Sequence, residues 1–155
     1  MNQHMTREIY ERHADSIYRL CYSYLKNPED AKDALQNTFV KLMKTDMVFD
    51  SVDHEKAWLI VTAGNTCKDM LKSFWNRKVT VDDESFSNIP VHDEDRDLLE
   101  AVLMLPVKYR VSLYLHYYEG YTSAEIAKLM KKGDGTVRGY LSKGRELLKE
   151  RLGEF

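Results

Sequence analysis

Arg138, Ser142, Arg145 and Lys149 recur at i, i+4, i+7 and i+11, which is one face of a helix. Cations and hydroxyls on such a face bind phosphate oxygens and base edges, and Arg adds two-pronged recognition of guanine. The helix that would carry them also has a packing stripe of Val137, Leu141, Gly144, Leu148 and Leu152. Upstream, Thr122-Ser123-Ala124-Glu125 matches a capping box, in which a hydroxyl and a carboxylate three residues apart close a helix start. Ile126, Leu129 and Met130 then supply an apolar face, and Lys131-Lys132-Gly133-Asp134-Gly135 breaks the period. Helix, tight joint and basic helix form the layout of a helix-turn-helix DNA reader. A small helical bundle with solvated charges fits the same residues.

A second group with binding chemistry ends the first half of the chain. Lys68, Lys72, Trp75, Arg77 and Lys78 mix cations with an aromatic, close to Phe74. Cations hold a backbone and rings stack on unpaired bases, so the mix suits single-stranded nucleic acid. Cations in a last helical turn also offset the helix dipole, and rings also serve as core. Catalytic chemistry finds little support. His4, His13, His54, His92 and His116 are scattered, without metal-ligand spacing to one another or to Cys21 and Cys67. A glycine-rich phosphate loop and a nucleophile elbow are both missing from the sequence. The expectation is no enzyme, no metal and no cofactor.

These groups need helices to hold them. Ile9, Tyr10, His13, Ile17, Leu20, Cys21, Tyr24 and Leu25 predict a helix over 6–26. Asn27-Pro28-Glu29-Asp30 stops it and starts the next, with Asn27 as cap, Pro28 in the first turn and two acids complementing the dipole. That helix runs to about Lys44 on a stripe of Ala31, Ala34, Leu35, Thr38, Phe39, Leu42 and Met43. Residues 45–53 lose the period and read as a loop, with Met47, Val48 and Phe49 expected to tuck onto the core. A long helix follows from Asp53, with Gly64 inside it at a cost of about 1 kcal/mol against Ala. Residues 79–97, with seven acids and Pro90, read as a flexible linker. The fold class is therefore all-α: two small helical domains, 1–78 and 98–155, joined by an acidic linker.

A net charge of −2 disguises this division. The balances are +1 over 1–78, −6 over 79–97 and +3 over 98–155, so both halves are mildly basic and the acidity sits between them. Hydrophobic residues make up 43% of the chain, enough for a core, while no apolar run reaches the length of a bilayer span. The first residues lack the apolar centre of a signal peptide, so a cytoplasmic protein with buried, free cysteines is expected.

Four stretches together resemble a bacterial RNA polymerase sigma factor of the extracytoplasmic-function (ECF) class. Asp30-Ala31-Lys32-Asp33-Ala34-Leu35-Gln36-Asn37-Thr38-Phe39-Val40-Lys41 is similar to that family's core-polymerase-binding helix. Lys56-Ala57-Trp58-Leu59, with Ala63, Asn65 and Asp69, resembles its −10 helix. Leu105-Pro106-Val107-Lys108-Tyr109-Arg110 resembles the start of the −35 domain. Tyr121 to Ala127, with Gly135-Thr136-Val137-Arg138 and Leu141-Ser142-Lys143-Gly144-Arg145, resembles its helix-turn-helix. The chain departs from the family pattern at Met43, Gly64, Lys131, Lys132, Gly133, Asp134, Gly139 and Tyr140.

The resemblance implies transcription initiation with core RNA polymerase and promoter DNA as partners, double-stranded at −35 and single-stranded at −10. It assigns core binding to Asp30, Asp33, Gln36, Asn37 and Phe39. For −10 DNA it implies Phe49, Trp58, Asn65, Lys68, Lys72, Arg77 and Lys78, with Phe49 and Met47 in a pocket wall. For −35 DNA it implies Lys131, Lys132, Thr136, Arg138, Tyr140, Lys143 and Arg145. An anti-sigma factor is a further partner that a flexible linker permits. The acidic run is either a nucleic-acid mimic in a polymerase channel or a solvated spacer. The competing reading is a helix-turn-helix regulator that acts without polymerase.

Overall fold

The computed structural model describes residues 1–77 and 93–153, with the side chains of Arg77 and of 93–96 outside the description. The chain forms two compact units, Met1–Asp82 and Asp83–Phe155. All regular structure among the described residues is helical, as expected from the sequence.

The first unit holds α1 (Gln3–Leu25), α2 (Pro28–Lys44) and α3 (Val52–Arg77), each packed on the other two. Local signals set their ends. Asn2 caps α1 by accepting from the Met5 amide at 2.8 Å, and Lys26 ends it in the left-handed region at φ 59°. Asn27 then accepts from the Asp30 amide at 3.0 Å, so a two-residue joint serves both helices. Ile17, Leu20, Leu25, Leu42 and Leu59 are sealed from water at the centre. Met43 departs from the expected stripe and stands 45% exposed, because it falls at the edge of the arc that faces the core.

A polar network and a close packing contact tie α3 to α1. Glu55 accepts from Arg12 through both carboxylate oxygens, at 3.1 and 2.8 Å, and lies 3.0 Å from His13 Nε2. Burial works against the Glu55 carboxylate, but the hydrogen bonds from Arg12 and His13 outweigh it and hold its pKa below the ordinary value. Gly64 has a packing reason that the sequence did not reveal. A Cβ there would meet the Tyr24 hydroxyl at 3.2 Å, so the glycine seats the ring of α1 against α3. Cys21 and Cys67 are buried free thiols, as expected, and the Cys21 thiol together with burial pushes the Cys67 thiol up and away from reactivity.

The second unit holds α4 (Asp93–Leu103), α5 (Val107–Leu113), a π-helical turn (Tyr114–Tyr118), α6 (Ser123–Met130) and α7 (Asp134–Leu152). Its first helix starts at Asp93, five residues inside the segment expected to be linker. Acids are favoured at helix starts, so a run of them reads equally as linker or as first turn. The remaining linker residues, 79–92, lie outside the described set. Arg110 is buried and donates to the Leu105 carbonyl at 2.8 Å, which closes the joint between α4 and α5. Gly144 lets α7 approach α5, since a Cβ there would sit 3.0 Å from Leu113 Cδ1.

Candidate polymerase and promoter interfaces

α2 buries Ala31, Ala34, Thr38 and Leu42, which turns Asp33, Gln36 and Asn37 outward at i, i+3 and i+4. Asp30 is half-buried, and burial followed by the nearby Asp33 and Glu29 charges raises its pKa. Phe39 does not share this surface. It is 6% exposed and meets Tyr10 edge-to-face at 4.9 Å, so it belongs to the core of α1 and α2. Its place is taken by Val40 and Met43, each 45% exposed beside the polar strip. Val40 could have been found from the sequence, because it lies opposite the stripe of Ala31, Thr38 and Leu42.

The loop before α3 is ordered by short-range bonds. His54 Nδ1 accepts from the Asp50 amide at 3.1 Å, and Ser51 Oγ accepts from the His54 amide at 3.0 Å. Phe49 folds back, half-buried, with its ring edge-to-face on His54 at 5.1 Å and Trp58 at 6.0 Å. Val48 does not tuck in: it is 81% exposed, with Met47 beside it at 36%. The bonds at 50–54 set the loop's course, which leaves these apolar side chains projecting. Along α3, Asn65, Lys68 and Lys72 are exposed at i, i+3 and i+7, one continuous strip two turns long. Trp75 extends it and is 85% exposed, which excludes the core reading for that ring. The Arg77 side chain and Lys78 lie outside the described residues.

The helix-turn-helix is built as its letters require. Thr122 Oγ1 accepts from the Glu125 amide at 3.2 Å, and Glu125 Oε1 accepts from the Thr122 amide at 3.0 Å. These bonds hold the Glu125 carboxyl below its ordinary pKa. Lys131 ends α6 in the left-handed region at φ 56°, and the Lys132 amide donates back to the Ala127 carbonyl at 2.9 Å. The turn is thus a helix-ending motif that usually holds glycine, made here with lysine. Gly133 caps α7, and Gly135 falls inside its first turn.

On α7, Val137 and Leu141 are buried, and Thr136, Arg138, Lys143 and Arg145 are exposed, as are Lys131 and Lys132 in the turn. Residues outside the packing stripe of α7 form two shoulders. Arg138, Ser142, Arg145 and Lys149 make one; Thr136 and Lys143, with the half-buried Tyr140, make the other. Tyr140 is half-buried, edge-to-face on Tyr109 at 5.9 Å with Lys108 over its ring at 5.6 Å. Arg138 Nε pairs with Asp134 Oδ2 at 3.3 Å, and Asp134 Oδ1 accepts from Ser123 at 2.7 Å. Arg145 donates to the Tyr117 hydroxyl at 3.0 Å.

The π-helical turn was not foreseen. It stacks Tyr114 on Tyr118 at 5.3 Å, and Tyr117 and Tyr118 stand more than 60% exposed. Beside it lies a cleft of about 630 Å³, lined by residues including Leu98, Val102, Leu113, Tyr114 and Leu148. Nothing in a run of Tyr, Leu and His marks a π turn, so no sequence signal was available for it.

The comparisons with known proteins follow the same division. The family model described as sigma-70 region 2 matches residues 9–77, and the one described as sigma-70, region 4 matches 95–148. The chain is 29% identical over 145 residues to RNA polymerase sigma factor SigV of Bacillus subtilis (strain 168), covering 90% of this chain and 86% of that one. It is 28% identical over 153 residues to ECF RNA polymerase sigma factor SigM of the same strain, covering 92% and 91%. The fold is similar to that of the sigma factor RpoE solved with the anti-sigma factor NepR from Bartonella quintana, at a TM-score of 0.71 and 19% identity over 94% of this chain and 95% of that one. Two helical units matching regions 2 and 4 in order define a promoter-directing subunit of bacterial RNA polymerase. The chain belongs to the sigma-70 family, in its ECF class. It binds core RNA polymerase and directs promoter-specific initiation.

Proposed function

We propose that the two units divide the promoter between them. The first unit docks on core polymerase through Asp33, Gln36 and Asn37 of α2, with Asp30 at the edge and Val40 and Met43 as apolar contacts. Its α3 reads and holds the opened −10 strand. Phe49 and Trp58 form the wall of a base pocket, Asn65 reads a base edge with its paired donor and acceptor, and Lys68, Lys72, Arg77 and Lys78 hold the backbone. Unit 2, whose first helix begins at Asp93, places its α7 in the −35 major groove. There Arg138 reads guanine, Thr136, Tyr140 and Lys143 line the opposite shoulder, and Lys131, Lys132 and Arg145 bind phosphates.

The observation that carries this reading is the exposed strip of Asn65, Lys68 and Lys72 on one side of α3, in a chain that also holds a helix-turn-helix. A regulator that only gripped duplex DNA would need the second feature and not the first. The factor performs no reaction itself, works in the cytoplasm and takes an anti-sigma factor as a further partner. Run-off transcription with core enzyme on a randomised promoter library tests the reading. The expected result is transcripts from a subset sharing one −35 and one −10 sequence; DNA binding without transcripts would establish the polymerase-independent regulator.

A further inference from the structure

Asp134, the first residue of α7, divides its carboxylate between two partners. Oδ1 accepts from Ser123 Oγ of α6 at 2.7 Å, and Oδ2 pairs with Arg138 Nε at 3.3 Å. The Ser123 bond fixes the carboxylate from the supporting helix. The Arg138 guanidinium lies back over the first turn, where a Cβ on Gly135 would sit 3.7 Å from its Nη2. Gly133 and Gly135 flank Asp134, so neither chain neighbour shields its side chain, which is 47% exposed. A carboxylate at the tip of a helix that enters DNA is repelled by phosphates. An acid in a first turn complements the helix dipole wherever it points, but this one points along the Arg138 shoulder. Carboxylate oxygens only accept hydrogen bonds. In the major groove guanine shows two acceptors, thymine one, and adenine sets N7 beside its amino group. Cytosine alone offers a donor, N4, with no acceptor of its own beside it.

We propose that Asp134 is a specificity-determining residue that reads the N4 amino group of a cytosine beside the guanine read by Arg138. One helical turn separates the two residues, about 6 Å of rise, which places the cytosine within roughly two base steps of the guanine. The proposal rests on α7 as the −35 reader and adds to it a second base contact of opposite sense. When Arg138 turns to guanine, Oδ2 is released and accepts from the cytosine amino group, while Oδ1 stays on Ser123. Guanine or thymine in that place sets an acceptor against the carboxylate, and adenine does so with N7. The residue therefore selects by rejecting three bases as much as by holding one.

The test uses holoenzyme reconstituted with wild-type, Asp134→Ala, Asp134→Asn or Arg138→Ala chain. The probes are duplexes of the promoter recovered from the run-off library, with each −35 base pair changed in turn to the other three. Wild type is expected to prefer cytosine about fivefold or more at one position within two steps of the guanine. Asp134→Ala should flatten that position and keep the guanine preference, whereas Arg138→Ala should relax only the guanine. Asp134→Asn still offers an oxygen to Ser123 but can turn an amide donor to the groove, so its preference should move from cytosine to adenine. An acid with a structural role alone would shift no base preference, which separates the two accounts. Should the alanine variant unfold, the asparagine variant decides. The proposal is overturned by a wild type without the cytosine preference, by a preference that survives at Asp134→Asn, or by an equal loss on every duplex. A wild-type holoenzyme indifferent to every −35 base would overturn the reading of α7 as well, so the two failures are told apart.

Discussion

Arg138 and Glu55 show how differently two charged side chains are used in this chain. Arg138 is exposed and held by an i, i+4 pair with Asp134, a weak surface pairing that the proposed base contact would replace. Arg138→Ala should cost about 1–3 kcal/mol of promoter binding and relax one −35 position. A binding screen over single-base promoter variants checks this, and an equal loss on every variant would remove the assignment. Glu55 is buried and holds α1 to α3. Its pKa is lowered from the ordinary 4.5, so the folded state binds fewer protons than the unfolded one as pH falls through that range. The stabilisation is complete above the ordinary value and disappears as pH drops through it to the lower folded value. Glu55→Gln should therefore be less stable than wild type at neutral pH, by about 2 kcal/mol in denaturant unfolding. The gap should close in acid, and a pH-independent gap would show that the charge contributes nothing.

At the scale of elements, the joints carry the most testable features. Lys131 takes a left-handed conformation that costs an ordinary residue about 1 kcal/mol. Lys131→Gly should stabilise the second unit by about 0.5–1 kcal/mol in denaturant unfolding while weakening DNA binding, because a phosphate contact is lost. On α2, an Asp33→Arg, Gln36→Ala double variant should lose core polymerase in a pulldown and keep its melting temperature, since both residues face water. Much of this architecture was legible in advance because its signals are local. Asn27-Pro28 marks a boundary by its own chemistry, and Thr122 with Glu125 closes a helix within four residues. What could not be read depends on distant partners. Gly64 looked like a defect until Tyr24 of α1 was seen against it. Phe39 lay on the packing stripe by its spacing and on a binding face by resemblance, and its contact with Tyr10 of α1 decides for the core. The projection of Val48 was hidden because hydrophobicity alone cannot say which apolar loop residues stay in water.

At the scale of the whole molecule, charge is distributed to act in parts. A chain with a net charge of −2 would not steer towards DNA as a uniform body, but its basic halves can each approach phosphate. If Lys132 makes one phosphate contact, Lys132→Ala in holoenzyme should reduce the slope of log affinity against log salt by about one while leaving promoter preference intact. A slope that does not change would place Lys132 off the DNA. The bond between Arg138 and Asp134 bears on how such a molecule moves through a chromosome, where wrong sites vastly outnumber right ones. If Arg138 is the guanine reader proposed above, over foreign sequence it would stay on its own carboxylate and add little to binding. At a guanine it would change partners, while Asp134 keeps its bond to Ser123 at the start of α6. The net gain at the right base would thus be a difference between two pairings. That would make the contact weak everywhere else, which is what a fast search with a firm stop requires.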